Sequence, residues 1–205
     1  MVAIAAIENT IIYLIGFAGC GKLTIAQEIQ KLIPAILVDN HLINNVVFSL
    51  IDPDGVTPLP KSVWENTRRV REIVLDTIRE LSPPQRNFIF TNELIEGKAT
   101  NQEVFNKISS LAADRGALFF PVRLLISPEE LCRRIVSPER KAKFKTISPA
   151  LVHQKMLQQE ILYPSHPYFE LEVSDLSASR SAQVIVEELK RSYRSRLRNV
   201  DQQSL

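Results

Sequence analysis

The chain has 205 residues, of which 45% are hydrophobic and 23% are charged. These values are normal for a soluble globular protein with a substantial core, and we predict a single domain over 1–205. The formal net charge is only +2, so no overall charge favours binding to nucleic acid or to a membrane surface, and we expect neither. The two cysteines, Cys20 and Cys132, lie far apart. They exclude a disulfide-rich scaffold and fit a reducing cytoplasm.

The apolar N-terminal stretch raises the question of a signal peptide. It lacks a basic start, and Glu8, Asn9 and Thr10 interrupt its apolar run. A cleavable signal peptide would need a positively charged start and an uninterrupted apolar run. No apolar run reaches the roughly 18 residues that a membrane-spanning helix requires. The stretch therefore predicts a buried strand.

Short apolar runs alternate with helical patterns along the chain. The runs lie at 10–15, 35–38, 88–90, 117–126 and 168–173. Unbroken apolar strands that alternate with helices are typical of a parallel sheet covered on both faces. The sequence therefore predicts an α/β fold.

Several helix starts are marked by a capping residue with an acidic residue three positions later. The pairs are Ser62 with Glu65, Thr100 with Glu103, and Ser127 with Glu130. We expect the first of these helices to run to about Leu81 and the second to end at Gly116 in a left-handed cap. A last helix is predicted over about 181–194, followed by a polar tail that frays.

An insertion of about 40–61 follows the second predicted strand. It begins with a short helical pattern and continues into DPDGVTPLP. The proline and glycine content of this segment is typical of a loop. Its position favours a role in covering a substrate.

The residues after the first predicted strand read GFAGCGKLT. Gly16 is separated by four residues from Gly21, which Lys22 follows directly, and a hydroxyl residue comes two positions after the lysine, just where a helix begins. We predict that this segment binds a nucleotide through Gly16, Phe17, Ala18, Gly19, Cys20, Gly21, Lys22, Leu23 and Thr24. The alternative is a glycine-rich turn without a ligand. Cys20 is interpreted as a small loop residue, with a redox switch as the other interpretation.

The physical basis of this prediction lies in the phosphate groups. Glycines let backbone N–H groups turn inward around phosphate oxygens, and the helix N-terminus adds partial positive charge. Lys22 can reach the β- and γ-phosphates as a catalytic point charge. The hydroxyl of Thr24 can hold Mg²⁺. ATP and Mg²⁺ are therefore the predicted cofactors.

The hydroxyl residue arrives one position later than in the commonest form of this loop. In this respect the segment resembles adenylate kinase, shikimate kinase and chloramphenicol phosphotransferase, a group of P-loop small-molecule kinases. The matching positions are Gly16, Gly19, Gly21, Lys22 and Thr24. The resemblance implies the three-layer P-loop NTPase fold, with a five-stranded parallel sheet in the order 2-3-1-4-5. It also implies an acceptor site between the insertion and a mobile lid, here about 133–147.

Asp39 is the predicted general base, because relatives that phosphorylate hydroxyls have an acidic residue after the second strand. Ligands of open α/β sheets bind at the carboxyl ends of strands, and we expect Asp39 at the end of a central strand beside the loop. The alternative is that Asp39 only caps the following helix. The third predicted strand lacks the usual metal-binding aspartate, so Asp39 or Glu93 is left to hold Mg²⁺ through water.

A basic segment follows the fourth predicted strand, where the related kinases carry lid arginines. Its basic residues are Arg133, Arg134, Arg140, Lys141, Lys143 and Lys145. We favour Arg134 and Arg140 as catalytic residues that stabilise the transferring phosphoryl group, with Arg133 as an alternative. A solvated basic helix face is the other interpretation. Arg71 is a weaker candidate for contact with the acceptor. The resemblance also implies that Ser174 and Asp175 lie near the adenine.

These features predict a kinase that transfers the γ-phosphoryl group of ATP to a small-molecule hydroxyl. A nucleoside monophosphate kinase is one alternative, because it shares the loop but needs no base. A regulatory or toxin-like nucleotide-binding protein with a macromolecular partner is another. The predicted partners of the leading interpretation are a nucleotide and a small-molecule acceptor.

Overall fold

The computed structural model describes residues 6–51, 53, 57–136 and 149–203. It contains one five-stranded sheet in which all the paired strands are parallel. The strands are β1 (Thr10–Ile15), β2 (Ile36–Asp39), β3 (Phe88–Asn92), β4 (Leu118–Leu125) and β5 (Phe169–Glu172). Their order is β2-β3-β1-β4-β5, which confirms the predicted topology.

Seven helices connect or follow these strands in the described part of the chain. They are α1 (Lys22–Leu32), α2 (Asn40–Phe48), α3 (Lys61–Glu80), α4 (Ala99–Asp114), α5 (Pro128–Ile135), α6 (Pro149–Gln158) and α7 (Ala178–Gln203). α1 packs against α7, and α3 packs against both α2 and α4. With helices covering the sheet, every residue of β1 and β3 is buried. No helix within the described ranges is long and apolar enough to span a membrane.

The sheet brings the ends of three strands close together. β1 pairs with β3 so that Ile15 lies opposite Asn92, and β2 pairs with β3 so that Asp39 lies opposite Thr91. Because the strands are parallel, their carboxyl ends meet at one edge of the sheet. The loops after β1, β2 and β3 therefore surround one site.

One of the three predicted helix caps is confirmed and the other two are wrong. The hydroxyl of Ser127 accepts a hydrogen bond from the amide of Glu130 at 3.2 Å, which confirms this cap. The other two capping boxes are wrong, since α3 and α4 begin one residue before Ser62 and Thr100 and neither helix has a side-chain cap. Gly116 has the expected left-handed conformation, with φ 55°.

The frayed C-terminal tail was also a wrong prediction, because α7 continues to Gln203. The stretch beyond 194 contains no proline or glycine that would end a helix. Tyr193 packs against the core, and the guanidinium of Arg196 donates a hydrogen bond to the carbonyl of Gly116 at 2.5 Å. These tertiary contacts keep the segment helical where composition alone predicted fraying.

Parts of the two predicted substrate-covering segments fall within the described residues. The insertion of 40–61 contributes α2, which packs against α3, while 52 and 54–56 lie outside the described residues. The lid prediction over 133–147 includes the end of α5, but 137–148 lies outside them. Arg140, one of the two favoured lid arginines, falls in that segment.

Candidate nucleotide-binding site

The loop between β1 and α1 is a tight turn that has glycine at its most restricted positions. A Cβ atom added at Gly16 would lie 2.8 Å from the Sγ of Cys20 and 3.1 Å from the carbonyl oxygen of Leu124. Gly19 and Gly21 both have φ 106°, a conformation that side chains disfavour. α1 starts directly after Gly21 without a side-chain cap. Its free N–H groups therefore face the loop, as an anion site requires.

Lys22 directs its ammonium group back into this loop. The Nζ atom donates hydrogen bonds to the carbonyl of Gly16 at 2.7 Å and to that of Phe17 at 2.8 Å. Thr24 is exposed in the first turn of α1. A cation, a helix N-terminus and a hydroxyl are thus gathered around one turn of backbone.

Glu93, which follows β3, also contacts the loop. Its Oε1 atom accepts a hydrogen bond from the amide of Ala18 at 2.8 Å, and its Oε2 atom lies 2.5 Å from the Nζ of Lys155 in α6. Burial raises the pKa of Glu93, but the charges of Lys155 and Lys22 outweigh it and leave the pKa below its usual value. This carboxylate is ionised at neutral pH.

Asp39 lies at the carboxyl end of β2, and its two carboxylate oxygens have different partners. Oδ1 accepts from the amide of His41 at 2.9 Å, so Asp39 is the N-cap of α2. Oδ2 accepts from the hydroxyl of Thr91 at 2.6 Å. The expectation of a central strand was wrong, because β2 is at the edge of the sheet and β3 separates it from β1. The capping role is confirmed, and the role as a base stays a prediction.

A network of polar side chains lies between Asp39 and the loop. Asn92 accepts from the hydroxyl of Tyr13 at 3.0 Å and donates to the Oδ1 of Asn40 at 2.9 Å. The guanidinium of Arg71 reaches the same oxygen at 3.5 Å, and burial lowers its pKa. Arg71, a weak candidate from sequence, therefore points from α3 toward the carboxyl edge of the sheet.

Arg134 joins the loop from the opposite side. Its Nη1 atom donates to the carbonyl of Cys20 at 3.0 Å, and its Nη2 atom donates to the carbonyls of Val173 and Ser174 at 2.7 and 3.1 Å. Its Nε atom donates to Glu130 at 2.6 Å. Arg133 is largely exposed and contacts Glu130 as well. Of the two neighbouring arginines, only Arg134 is bonded to the loop.

The structure therefore gathers Lys22, Thr24 and Arg134 at one turn, while Asp39 lies two strands away, bonded to Thr91. Sequence reasoning missed Lys155 altogether and considered Glu93 only as a metal ligand. Lys155 is 62 positions from Glu93, and no local pattern marks such a pair. Asn92 and Thr91 had a readable signal, since both are polar residues at the end of a buried strand.

No protein-family model matches the chain, and no curated protein matches it by sequence. Solved structures do match. A gluconokinase from Sinorhizobium meliloti 1021 has a TM-score of 0.60 at 14% identity, over 93% of this chain and 98% of its own. A shikimate kinase from Bacteroides thetaiotaomicron has a TM-score of 0.55 at 14% identity, over 90% and 98%. The APS kinase of Mycobacterium tuberculosis, determined with AMPPNP and APS, has a TM-score of 0.53 at 19% identity, over 89% and 98%.

These structural neighbours are kinases of the P-loop small-molecule group. At such low sequence identity, the similarity shows a shared fold and nothing more. This shared fold agrees with the strand order of the sheet and with the loop after β1.

Proposed function

We propose that the protein is an ATP-dependent kinase that phosphorylates a hydroxyl group of a small molecule. The observation that carries this proposal is the ammonium group of Lys22, which lies inside a glycine-rich turn between the central strand and the N-terminus of α1. The structural neighbours of the protein are kinases, which supports phosphoryl transfer as the reaction class. The neighbours act on different acceptors, so they do not identify this one.

The loop fits a nucleotide polyphosphate. The N-terminus of α1 offers donors to anionic oxygens, and Lys22 needs only to leave the carbonyls of Gly16 and Phe17 to meet a phosphate. Among the described residues there is no cluster of three or more histidine, cysteine or acidic side chains that would hold a metal alone. Mg²⁺ would therefore be held by the hydroxyl of Thr24 together with phosphate oxygens and water, where it would offset phosphate charge.

In the proposed reaction, the acceptor oxygen forms a bond to the γ-phosphorus as the bond to the β–γ bridging oxygen breaks. Asp39 takes the proton from the acceptor hydroxyl, and ADP leaves with the electron pair of the broken bond. Lys22 stabilises charge on the phosphates. Arg134 holds the loop in position, and Arg140, which lies outside the described residues, is proposed as a further positive charge for the transferring phosphoryl group.

A nucleoside monophosphate kinase is the second candidate. It is favoured by one observation, namely that both carboxylate oxygens of Asp39 already accept hydrogen bonds from within the protein. An acceptor that is itself a phosphate needs no base, and Asp39 would then be only a cap. Each carboxylate oxygen has a second lone pair, so the hydrogen bonds are also compatible with a base.

The first experiment measures ATP affinity by calorimetry for the wild type, Lys22→Ala and Lys31→Ala. Lys31 is on the same helix, but it is exposed and paired with Glu28, so it controls for charge and helix stability. We expect Lys22→Ala to lose most nucleotide binding and Lys31→Ala to retain it. Equal ATP affinity of all three proteins would contradict the proposal.

The second experiment identifies the acceptor. Release of ADP from ATP is measured without an acceptor and then with pools of sugars, nucleosides, nucleoside monophosphates and antibiotics. A hydroxyl compound that accelerates ADP release supports the leading proposal. Acceleration by a nucleoside monophosphate alone supports the second candidate.

A further inference from the structure

Two charged residues from separate elements meet at the edge of the phosphate-binding loop. The carboxylate of Glu93 bonds to the amide of Ala18 with one oxygen and to the ammonium of Lys155 with the other. Both side chains are largely shielded, with 25% of Glu93 and 32% of Lys155 exposed. One carboxylate thus connects helix α6 to the backbone of the loop.

A carboxylate in this position opposes the binding of a polyphosphate unless its charge is neutralised. Lys22 and Lys155 both lie close enough to lower the pKa of Glu93, so these three groups share one electrostatic environment. Together they carry a net charge of about +1 at neutral pH, and without Lys155 the sum is about zero. At such short separations and partial burial, one charge changes anion affinity substantially.

The ion pair also constrains the backbone. The hydrogen bond from Ala18 fixes one peptide group in the first half of the loop, and Lys155 fixes the carboxylate that accepts it. A charge-assisted bond of this kind is stronger than a neutral one. The position of α6, which follows the predicted lid segment, is therefore linked to the shape of the loop through the side chains of Lys155 and Glu93.

We propose that Lys155 is a positioning residue for nucleotide binding, which acts through Glu93 by neutralising its charge and holding it against Ala18. This proposal rests on the proposed function, since it takes a polyphosphate as the ligand of the loop. Lys155 itself need not touch the nucleotide. Its contribution depends on the presence of the Glu93 carboxylate, and this dependence is what an experiment can measure.

The test compares ATP affinity, by calorimetry at fixed ionic strength, for Lys155→Ala, Glu93→Gln and the double variant. We expect Lys155→Ala to weaken ATP binding by about tenfold or more, because an uncompensated carboxylate then borders the loop. Glu93→Gln removes the negative charge but keeps a side-chain oxygen that can accept from the amide of Ala18, so it should bind ATP at least as tightly as the wild type. The double variant should return to within about threefold of the wild type, because the charge that Lys155 compensates is absent.

Two further variants separate this effect from general stability. Lys155→Arg keeps the charge and should retain wild-type affinity, and Lys155→Gln keeps a long side chain if the alanine variant does not fold. Lys107→Ala removes a comparable ion pair with Glu72 in α3 and should leave ATP affinity unchanged. Melting temperatures of all the variants show whether any loss of affinity reflects unfolding.

Unchanged affinity in folded Lys155→Ala or Lys155→Gln would overturn the proposal. A loss that Glu93→Gln does not restore would overturn it too, since Lys155 would then contact the nucleotide directly. Failure of the underlying function gives a different result. In that case the wild type itself does not bind ATP, or Lys22→Ala binds it as well as the wild type does.

Discussion

The guanidinium of Arg134 donates a hydrogen bond to the carbonyl of Cys20 at 3.0 Å and so links α5 to the phosphate-binding loop. The same side chain bonds to the carbonyls of Val173 and Ser174 after β5. One planar group therefore connects three segments that are remote in sequence. Its five N–H donors in a rigid fork suit this role better than an ammonium group would.

Replacing Arg134 should affect both stability and nucleotide binding. Arg134→Ala leaves backbone carbonyls near the loop without their donor, a loss of about 1 to 3 kcal/mol in the free energy of unfolding. We expect weaker ATP binding as well, because the carbonyl of Cys20 is no longer held. Arg134→Lys should recover little, since one ammonium group cannot reproduce the fork. Denaturant unfolding and calorimetry measure the two effects.

Arg133→Ala is the matched control, because Arg133 also contacts Glu130 but has a side chain that is 74% exposed. Surface ion pairs contribute little to stability, so this variant should lose much less stability than Arg134→Ala does and should bind ATP as the wild type does. Equal effects of the two alanine variants would contradict a specific role for Arg134.

The lowered pKa of Glu130 leads us to expect that the stability of the protein depends on pH. Hydrogen bonds from Arg133 and Arg134 lower the pKa of Glu130 from 4.5 to about 2. A carboxyl group whose pKa is lower in the folded state stabilises the fold above its unfolded pKa, and this contribution is lost as the pH falls through the folded value. The wild type should therefore lose stability relative to Glu130→Gln as the pH falls from 4.5 toward 2.

The measurement is urea unfolding of both proteins at several pH values. Glu93 has a lowered pKa with the same sign, so both proteins lose stability in acid and only their difference reports on Glu130. That difference should be largest near neutral pH and shrink in acid. A constant difference across this range would show that the ion pairs with Glu130 make no pH-dependent contribution.

Gly16 should not tolerate a methyl group. The added Cβ of Gly16→Ala would meet the Sγ of Cys20 at 2.8 Å and the carbonyl oxygen of Leu124 at 3.1 Å. Overpacking of this kind costs typically about 1 to 3 kcal/mol. Adding Cys20→Ala removes the sulfur contact and should recover part of the loss, whereas the contact with the Leu124 backbone persists. Denaturant unfolding gives the free energies.

Gly116 provides the comparison for this prediction. It has φ 55° and no atom within 4 Å of an added Cβ, so Gly116→Ala should destabilise the protein through backbone strain alone. Cys20→Ala should not relieve that loss. If Cys20→Ala recovered neither variant, the sulfur contact at Gly16 would be excluded as the cause.

The sequence was most informative where one local pattern determines the structure. The run before Gly16 and the lysine after Gly21 are sufficient to place a strand, a phosphate-binding turn and a helix, and the resemblance then supplied the strand order. Glu93 and Lys155 could not be paired in this way, because their contact depends on how α6 packs. Likewise, the extent of α7 depends on Arg196 reaching Gly116, a tertiary contact that composition does not reveal.

Asp39 distinguishes the two candidate functions. In Asp39→Asn the remaining carbonyl oxygen can still accept from the amide of His41, and asparagine and aspartate cap helices about equally well. The hydroxyl of Thr91 can rotate to accept from the new amide group. We therefore expect the variant to fold and to bind ATP normally.

Turnover of Asp39→Asn is the decisive measurement. If Asp39 accepts the proton of a hydroxyl acceptor, its loss should lower kcat by about 10² to 10⁴, with little change in ATP affinity. Thr91→Val is the control, because it removes the hydrogen bond at Oδ2 but keeps the carboxylate, and it should lower kcat far less. Near wild-type turnover of Asp39→Asn would exclude base catalysis by this residue. It would favour an acceptor that is already an anionic phosphate, for which the carboxylate only needs to cap α2.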